Sequence, residues 1–408
     1  MKTFFSKIRH LALATMALTA VMSGQKAWAQ SVQTPSSLGE QLQLVARNNT
    51  QLKALYRQMQ ANVLGNESNL RLSDPEAEVA YLFGSPKGVP NRTNVTLTQS
   101  LDWDVLLGRR KALAKANNQV AYANYRLEAS KVLTEADRLL TNIIYYNKLC
   151  KELEQRNAWA KELQTLYQKK FERGDINQME LNKVSLNASV SRAEWTRACS
   201  ERQQLQSNLQ ALNGCQPIEV TDTLYPLEGE ALPPMSLFAE ALNVTPTMQS
   251  AHAEVAQSEA EIKVAKAAAA PALTVGFQGE YIKQNNYSGL SLGFSLPIWG
   301  NTRRRVKQAE AELMAKKLSA EDIFLQQQSQ LAQQYAATVS LQRTADELKA
   351  DITRLDNAHL LRRSLELGQT SLLDYLLELS FYYTARTAQL EAERDAQLAL
   401  SALRGLTY

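Results

Sequence analysis

The strand-like run Val95–Leu101, which closes on Gln99-Ser100-Leu101 and is followed by Arg109-Arg110, returns 195 residues later as Leu290–Leu296, closing on Phe294-Ser295-Leu296 and followed by Arg304-Arg305. The turn-like Phe171-Glu172-Arg173-Gly174-Asp175 returns, 194 residues on, as Leu365-Glu366-Leu367-Gly368-Gln369. Leu209–Gly214 returns as Leu400–Gly405. Self-similarity at a fixed spacing confines a chain to architectures that use one supersecondary unit again. The units fall at 37–214 and 236–405, joined by a connector at 215–235 that holds Pro217, Pro226, Pro233 and Pro234. Each reads as a helix, two short strands and two long helices meeting at a glycine.

The strands are expected at roughly 76–84, 91–101, 272–282 and 287–296. Val95, Leu97 and Gln99 alternate with Thr96, Thr98 and Ser100, the period-2 pattern of a strand with two unlike faces. Phe277, Gly279 and Tyr281 alternate with Gln278, Glu280 and Ile282 less cleanly. Residues 37–73 read as one helix, ended by Asp74-Pro75. The stretches Leu106–Arg173 and Arg303–Leu367 hold no proline and one glycine, Gly108. Each would make about 100 Å of helix at 1.5 Å per residue, far beyond ordinary globular length. Val132, Ala136, Leu139, Ile143, Tyr146, Cys150 and Leu153 keep the 4-3-4-3 spacing of a coiled-coil seam, as do Leu341, Ala345, Leu348, Ile352, Leu355 and His359. Leu133, Leu140 and Ile144 add a second seam, so the helix is expected to pack between two neighbours.

At the N-terminus Lys2, Lys7 and Arg9 precede an apolar run from Leu11 to Met22, then Ala27-Trp28-Ala29. This is the pattern of a cleavable secretory signal at 1–29, and its apolar run is too short to span a bilayer. No Cys follows the cleavage site, so no lipid anchor is expected there. Without this segment the 45 Lys and Arg fall to 41, level with the 41 Asp and Glu. The net charge of +4 therefore gives no ground for a nucleic-acid partner. No later segment is long and apolar enough for a transmembrane helix, so any insertion must use strands.

Four strands cannot close a barrel, and open edges are not tolerated in lipid. Several copies would have to share one barrel; three give twelve strands, an acceptable even number, closed by cyclic symmetry. The fold class is thus mainly α with a small β part.

Taken in order and twice over, these features resemble the TolC family of outer-membrane efflux proteins. The carriers are the repeat, the strand ends Gln99-Ser100-Leu101 and Phe294-Ser295-Leu296-Pro297, and the turns Gly174-Asp175-Ile176 and Gly368-Gln369-Thr370-Ser371-Leu372. The resemblance implies a homotrimer in the outer membrane of a Gram-negative bacterium. It would have a shared twelve-stranded β-barrel in outer-membrane lipid, four strands per chain, continuous with an α-helical periplasmic tunnel. A periplasmic membrane-fusion adaptor would dock at the tip and an inner-membrane efflux transporter would feed it. Such a protein is the exit duct of a tripartite efflux pump and catalyses nothing. The same duct could serve type I protein secretion, and a pore-less periplasmic coiled-coil scaffold is the reading from another class.

The family closes its tip with acidic side chains a little beyond the turn glycine. Asp374, sixth after Gly368, matches one gate position; Glu378 lies one turn on and one place from the family's second aspartate. A ring of carboxylates repels anions and attracts cations; an ordinary solvated helix residue is the plainer reading of Asp374. Glu180 holds the sixth place after Gly174, and Thr370 stands where some members have a latching arginine. A neutral hydrogen bond there would be about half as strong as a charge-assisted one. Adaptor docking in the family uses the turns, hence Gly174, Asp175, Ile176, Gly368, Ser371 and Leu372 here.

Trp103 and Trp299 lie just past a strand, where Trp suits either the membrane interface or core packing. Cys150 lies 24 residues before Gly174 and Cys199 lies 25 after it, level positions in an antiparallel hairpin, so a disulfide between them is expected if geometry permits. His10, His252 and His359 are scattered. No metal site, cofactor, nucleophile triad or phosphate loop is indicated.

Overall fold

A computed structural model describes residues 38–405 except 69, 87, 226–231, 269, 284, 296–300 and 356. The expected signal segment and Trp299 lie outside the described residues. The elements run in the order α1 (Leu38–Asn48), α2 (Thr50–Ser68), β1 (Glu76–Leu82), β2 (Arg92–Leu101), α3 (Trp103–Leu106), α4 (Arg109–Glu172) and α5 (Gln178–Leu212). Then follow α6 (Met235–Ala241), a 3-10 turn (Leu242–Val244), α7 (Pro246–Ala267), β3 (Ala272–Ile282), β4 (Asn286–Ser295), α8 (Asn301–Arg354), α9 (Ala358–Glu366) and α10 (Leu372–Gly405). Contacts divide the chain into two units. A strand-bearing unit holds Ala54–Leu127 and Asn243–Gln327, and a hairpin-bearing unit holds the residues up to Lys53, Glu128–Leu242 and Gln328 onward.

In the strand-bearing unit the four strands form one antiparallel meander in the order β1-β2-β3-β4. Hairpin loops join β1 to β2 and β3 to β4, while β2 and β3 pair along ten positions from Arg92↔Ile282, 190 residues apart, to Leu101↔Leu273, 172 apart. Helices α7 and α8 carry a row of ion pairs, Lys316–Glu254 at 2.9 Å, Lys317–Glu259 at 3.3 Å and Lys266–Glu310 at 3.2 Å. All are well exposed, so they set register more than stability. Buried Thr245 caps α7 by accepting from the Met248 amide and also meets Gln327 Oε1 at 3.1 Å.

In the hairpin-bearing unit the core runs along α4. Ala136, Leu139, Leu140, Ile143 and Ile144 are all buried, which fits two seams rather than one. On α8, Leu331, Thr338, Ala345 and Ile352 are buried at strict seven-residue spacing. Further on, the sequence expectation of one helix to Leu367 fails: α8 ends at Arg354 and α9 begins at Ala358. Asn357 is a poor interior helix residue because its short polar side chain competes for nearby backbone groups. Beyond that break the seam positions Leu355 and His359 are exposed. At the start of the other long helix, Gly108 adopts φ +66° and separates α3 from α4, so α4 begins at Arg109 rather than Leu106.

The single helix expected at 37–73 is two. Asn49, buried, accepts from the Leu52 amide at 2.8 Å and so caps α2, while its amide donates to the Leu212 carbonyl at 2.8 Å. Asn48 donates to Asn213 Oδ1 at 3.1 Å. At the end of α5, Gly214 has φ +65°, and a Cβ there would sit 2.5 Å from the Asn48 carbonyl oxygen. The helix break and the glycine thus serve one close approach. In the connector, buried Asn147 donates to the carbonyls of Val220 and Asp222 at 3.0 and 2.9 Å. Of the described connector residues, Ile218 and Val220 are buried and Leu224 is exposed.

Candidate functional site

Two places gather the residues singled out by sequence. The first is the sheet. Cross-strand partners share a face, so the register sorts the side chains by row. On one face lie Ala77–Leu97–Phe277–Leu290, then Gln99–Val275–Leu292, then Leu101–Leu273–Phe294. On the other lie Glu78–Thr96–Gln278–Gly289, then Ala80–Asn94–Glu280–Tyr287, then Ser100–Thr274–Gly293. One face is thus mainly apolar, with Thr93, Gln99, Asn286 and Ser288 as its polar members, and the other mainly polar, with Leu82 and Ile282 at its loop end. Both are open: Leu290 is 90% exposed, and Leu97, Leu292 and Phe294 are exposed as well. Arg92 and Glu280 form an ion pair at 2.8 Å on the polar face.

Gly279 explains the imperfect alternation of β3. It shares a row with Val95, and the Tyr281 ring comes within 3.1 Å of where its Cβ would be, so a neighbouring aromatic covers the gap. Aromatics mark both ends of the apolar face. Tyr81 and Tyr281 stand at the loop end, with Phe83 edge-on to Tyr81 at 5.0 Å, and Phe294 stands at the other. Beyond that end Trp103 is half-buried and donates its indole N–H to the Pro271 carbonyl, beside a cluster in which Arg110 bridges Asp104 at 2.6 Å and Asp102 at 3.3 Å. Trp103 therefore has a polar partner and a part-exposed ring. Sequence reading found Trp103 but passed over Tyr81 and read Tyr281 only as a strand residue, though strand position alone could have flagged both.

The second place is the pair of helix turns in the hairpin-bearing unit. Gly174 and Gly368 take φ +76° and +70°. The Asp175 amide bonds back to the Lys170 carbonyl and the Gln369 amide to the Ser364 carbonyl, both at 2.9 Å, so both helices end in the same left-handed closing motif. After each turn comes a reciprocal cap. Asn177 accepts from the Glu180 amide at 3.0 Å while its own amide donates to Glu180 Oε2 at 3.3 Å. Ser371 accepts from the Asp374 amide at 3.1 Å and donates its hydroxyl to Asp374 Oδ2 at 2.6 Å.

Glu180 thereby takes part in the start of α5. Asp374 and Glu378 are exposed and one turn apart on α10, whereas Leu372, Tyr375 and Leu379 of the same helix are buried. Thr370 is hydrogen-bonded to the Ser364 hydroxyl at 2.7 Å. Of the turn residues, Gly174, Asp175, Gly368 and Ser371 are exposed, whereas Leu372 is buried with Tyr167, Leu181 and Val184, and Ile176 packs against that cluster. Arg362 ties α9 to α4 through Glu162 at 3.0 Å and lies over the Trp159 ring.

Between turns and connector, cations sit on aromatic faces: Arg156 on Tyr383, Arg394 on Tyr145 and Lys148 on Tyr225. Burial lifts the Tyr145 phenol to about 12 and raises Tyr383 further above its usual value. Fully buried Asp137 accepts from the Ser401 hydroxyl at 2.6 Å and lies 3.7 Å from Arg404. The Cys150 and Cys199 sulfurs are 3.5 Å apart as free thiols. Among the described residues no cluster of His, Cys, Asp or Glu could hold a metal ion, and no helix is long and apolar enough to cross a membrane.

Comparison with known proteins adds the following. Residues 237–407 match the family model described as outer membrane efflux protein. By sequence alone no curated protein matches the chain. Among solved structures, a membrane protein from Pseudomonas aeruginosa superposes with a TM-score of 0.76 at 18% identity, over 96% of this chain and 100% of that one. The Campylobacter jejuni CmeC outer membrane channel does so with 0.73 at 16%, over 96% and 93%. The open state of the Neisseria gonorrhoeae MtrE outer membrane channel does so with 0.70 at 19%, over 90% and 88%.

Proposed function

We propose that this protein, which has the fold of the TolC-type outer-membrane channels and carries the outer membrane efflux protein domain at residues 237–407, is one protomer of the exit duct of a tripartite efflux pump. The observation that carries the reading is the two-faced sheet with free edges on β1 and β4. In water, an apolar face with Leu290 at 90% exposure is an aggregation liability. In a bilayer the same face is the required outer surface of a barrel, and the polar face lines water. Ten residues of β4 span about 33 Å at 3.3 Å per residue, or about 25 Å when tilted by 40°, the height of an outer-membrane apolar band.

Free edges in lipid leave backbone groups unsatisfied, at a cost of several kcal/mol each. Three copies closing a twelve-stranded barrel remove every edge. Helical surfaces support the same assembly: Leu373, Leu377 and Phe381 lie exposed along one stripe of α10, and Met179, Leu186 and Val190 along one of α5. Stripes of this kind are seams awaiting neighbours. The helices then wall a periplasmic passage, with an adaptor docking on the exposed turn residues Gly174, Asp175, Gly368 and Ser371 and an inner-membrane transporter supplying substrate.

Asp374 and Glu378 form the gate in this reading. Both residues are exposed, and threefold repetition would make two acidic rings one helical turn apart. Glu180 and Thr370 belong to the same tip, where the Glu180 carboxylate caps α5 and Thr370 is bonded to the Ser364 hydroxyl. The test is conductance across a planar bilayer, with the protein taken from the outer-membrane fraction. Discrete, cation-selective channels are the expected result. A protein that fractionates as soluble and passes no current is a scaffold and not a duct.

A further inference from the structure

We propose that Cys150 and Cys199 are joined by a disulfide in the native protein, a staple across the α4–α5 hairpin. Their sulfurs lie 3.5 Å apart, on residues 49 apart in sequence, in facing helices. Bond formation needs the sulfurs to approach by about 1.4 Å, well within side-chain rotation. The surroundings suit a structural bond rather than a reactive site. Cys150 is 4% exposed, within a cluster of Tyr145, Leu149, Leu153, Ala198 and Leu390, and Cys199 packs against it. Among the described residues the pair belongs to no group of three or more His, Cys, Asp and Glu that could hold a metal ion. Cys215 differs in every respect: it is exposed, follows Gly214 and has no sulfur partner.

The inference rests on the outer-membrane reading for one thing, the oxidising compartment through which the chain passes. The two thiols lose two protons and two electrons, and one S–S bond replaces two S–H bonds. The acceptor is a protein disulfide of that compartment, which takes up both electrons and both protons and becomes a dithiol. Burial, then the neighbouring Cys199, push the Cys150 thiol up to about 12, so the folded, reduced pair holds very little thiolate. Oxidation therefore belongs to the chain before this cluster packs, and packing afterwards shields the bond from exchange. The staple fixes α4 against α5 between the Gly174 turn and the Gly214 end of the hairpin, where a slip of one heptad would otherwise preserve much of the apolar pattern.

The test is mass spectrometry of protein from cells lysed directly into excess N-ethylmaleimide, fractionated and digested without reductant. Linked peptides carrying Cys150 and Cys199, with Cys215 alkylated, uphold the staple. Maleimide on both Cys150 and Cys199 in protein from the outer membrane overturns it. Should the protein appear in another fraction, the localisation has failed separately. The staple is then decided on purified chain that is reduced, unfolded in denaturant and refolded in oxidised glutathione, so that both thiols are accessible before packing: a Cys150–Cys199 link upholds it, and glutathione adducts or unreacted thiols overturn it. As a second readout, reductant lowers the unfolding midpoint of the wild type but leaves that of Cys199→Ala unmoved; equal responses also count against the staple.

Discussion

Replacing Leu290 with arginine separates a lipid-facing sheet from a water-facing one, because the two environments predict effects of different size. Leu290 is the fifth of ten residues in β4, centred in the row Ala77–Leu97–Phe277–Leu290 of the apolar face. If that row faces the bilayer midplane, the substitution costs about 2–4 kcal/mol per chain. The three sites of a trimer are far enough apart to add, giving about 6–12 kcal/mol per assembly. If the face is solvated, an exposed substitution moves stability by no more than about 0.5 kcal/mol. Gln278→Arg is the matched control: it adjoins Phe277, at the same depth, on the polar face. The assay is folding into lipid vesicles, read as the folded fraction along a urea titration. Leu290→Arg should abolish or sharply weaken folding while Gln278→Arg stays near wild type. Equal tolerance of both, or better yield from Leu290→Arg in the absence of lipid, refutes the assignment of faces.

Other outcomes follow from the hairpin-bearing unit. Gly368→Ala places a side chain at φ +70° with open space around it, so conformational strain alone acts and the unfolding free energy should drop by about 1–2 kcal/mol in denaturant titration. Asn49→Ala removes the α2 cap and strands the Leu212 carbonyl, a loss of about 1–3 kcal/mol by the same measurement. Tyr145 is raised to about 12, and Tyr167, Tyr375 and Tyr383 are raised too, each chiefly by burial. Unfolded phenols lose their protons near pH 10 while the folded ones keep theirs, so stability is fully present below about pH 10 and falls as pH rises toward 12. Thermal melts across pH 9–12 read this directly, and a flat profile would contradict it. Asp374→Asn should reduce cation selectivity in bilayer recordings while leaving the helix start intact, since an amide oxygen still accepts from Ser371.

What could be read from sequence was whatever local periodicity controls. The seam of α4 from Val132 to Leu153 was visible because one helix keeps one set of neighbours along its length. The corresponding seam on α8 misled beyond Ile352, since the break at 355–357 turns Leu355 and His359 outward, and periodicity carries no sign of a break. The two faces of β2 were plain, but those of β3 were hidden by Gly279, whose row is completed by Tyr281 reaching back over it, a contact that depends on rotamer and not on order. Glu180 invited a functional reading by its distance from Gly174. Yet Asn177-x-x-Glu180 was a legible capping signature, and the structure gives its carboxylate to the cap. The break at Asn49 depends on a partner 163 residues away and could not be read locally.

The central claim is that four strands with open edges are completed only by those of sister chains. Native mass spectrometry of protein extracted from the outer membrane tests it most directly. The account predicts a particle of three chains that requires detergent or lipid to stay dispersed. A single chain, stable and monodisperse in water with its sheet intact, would contradict it.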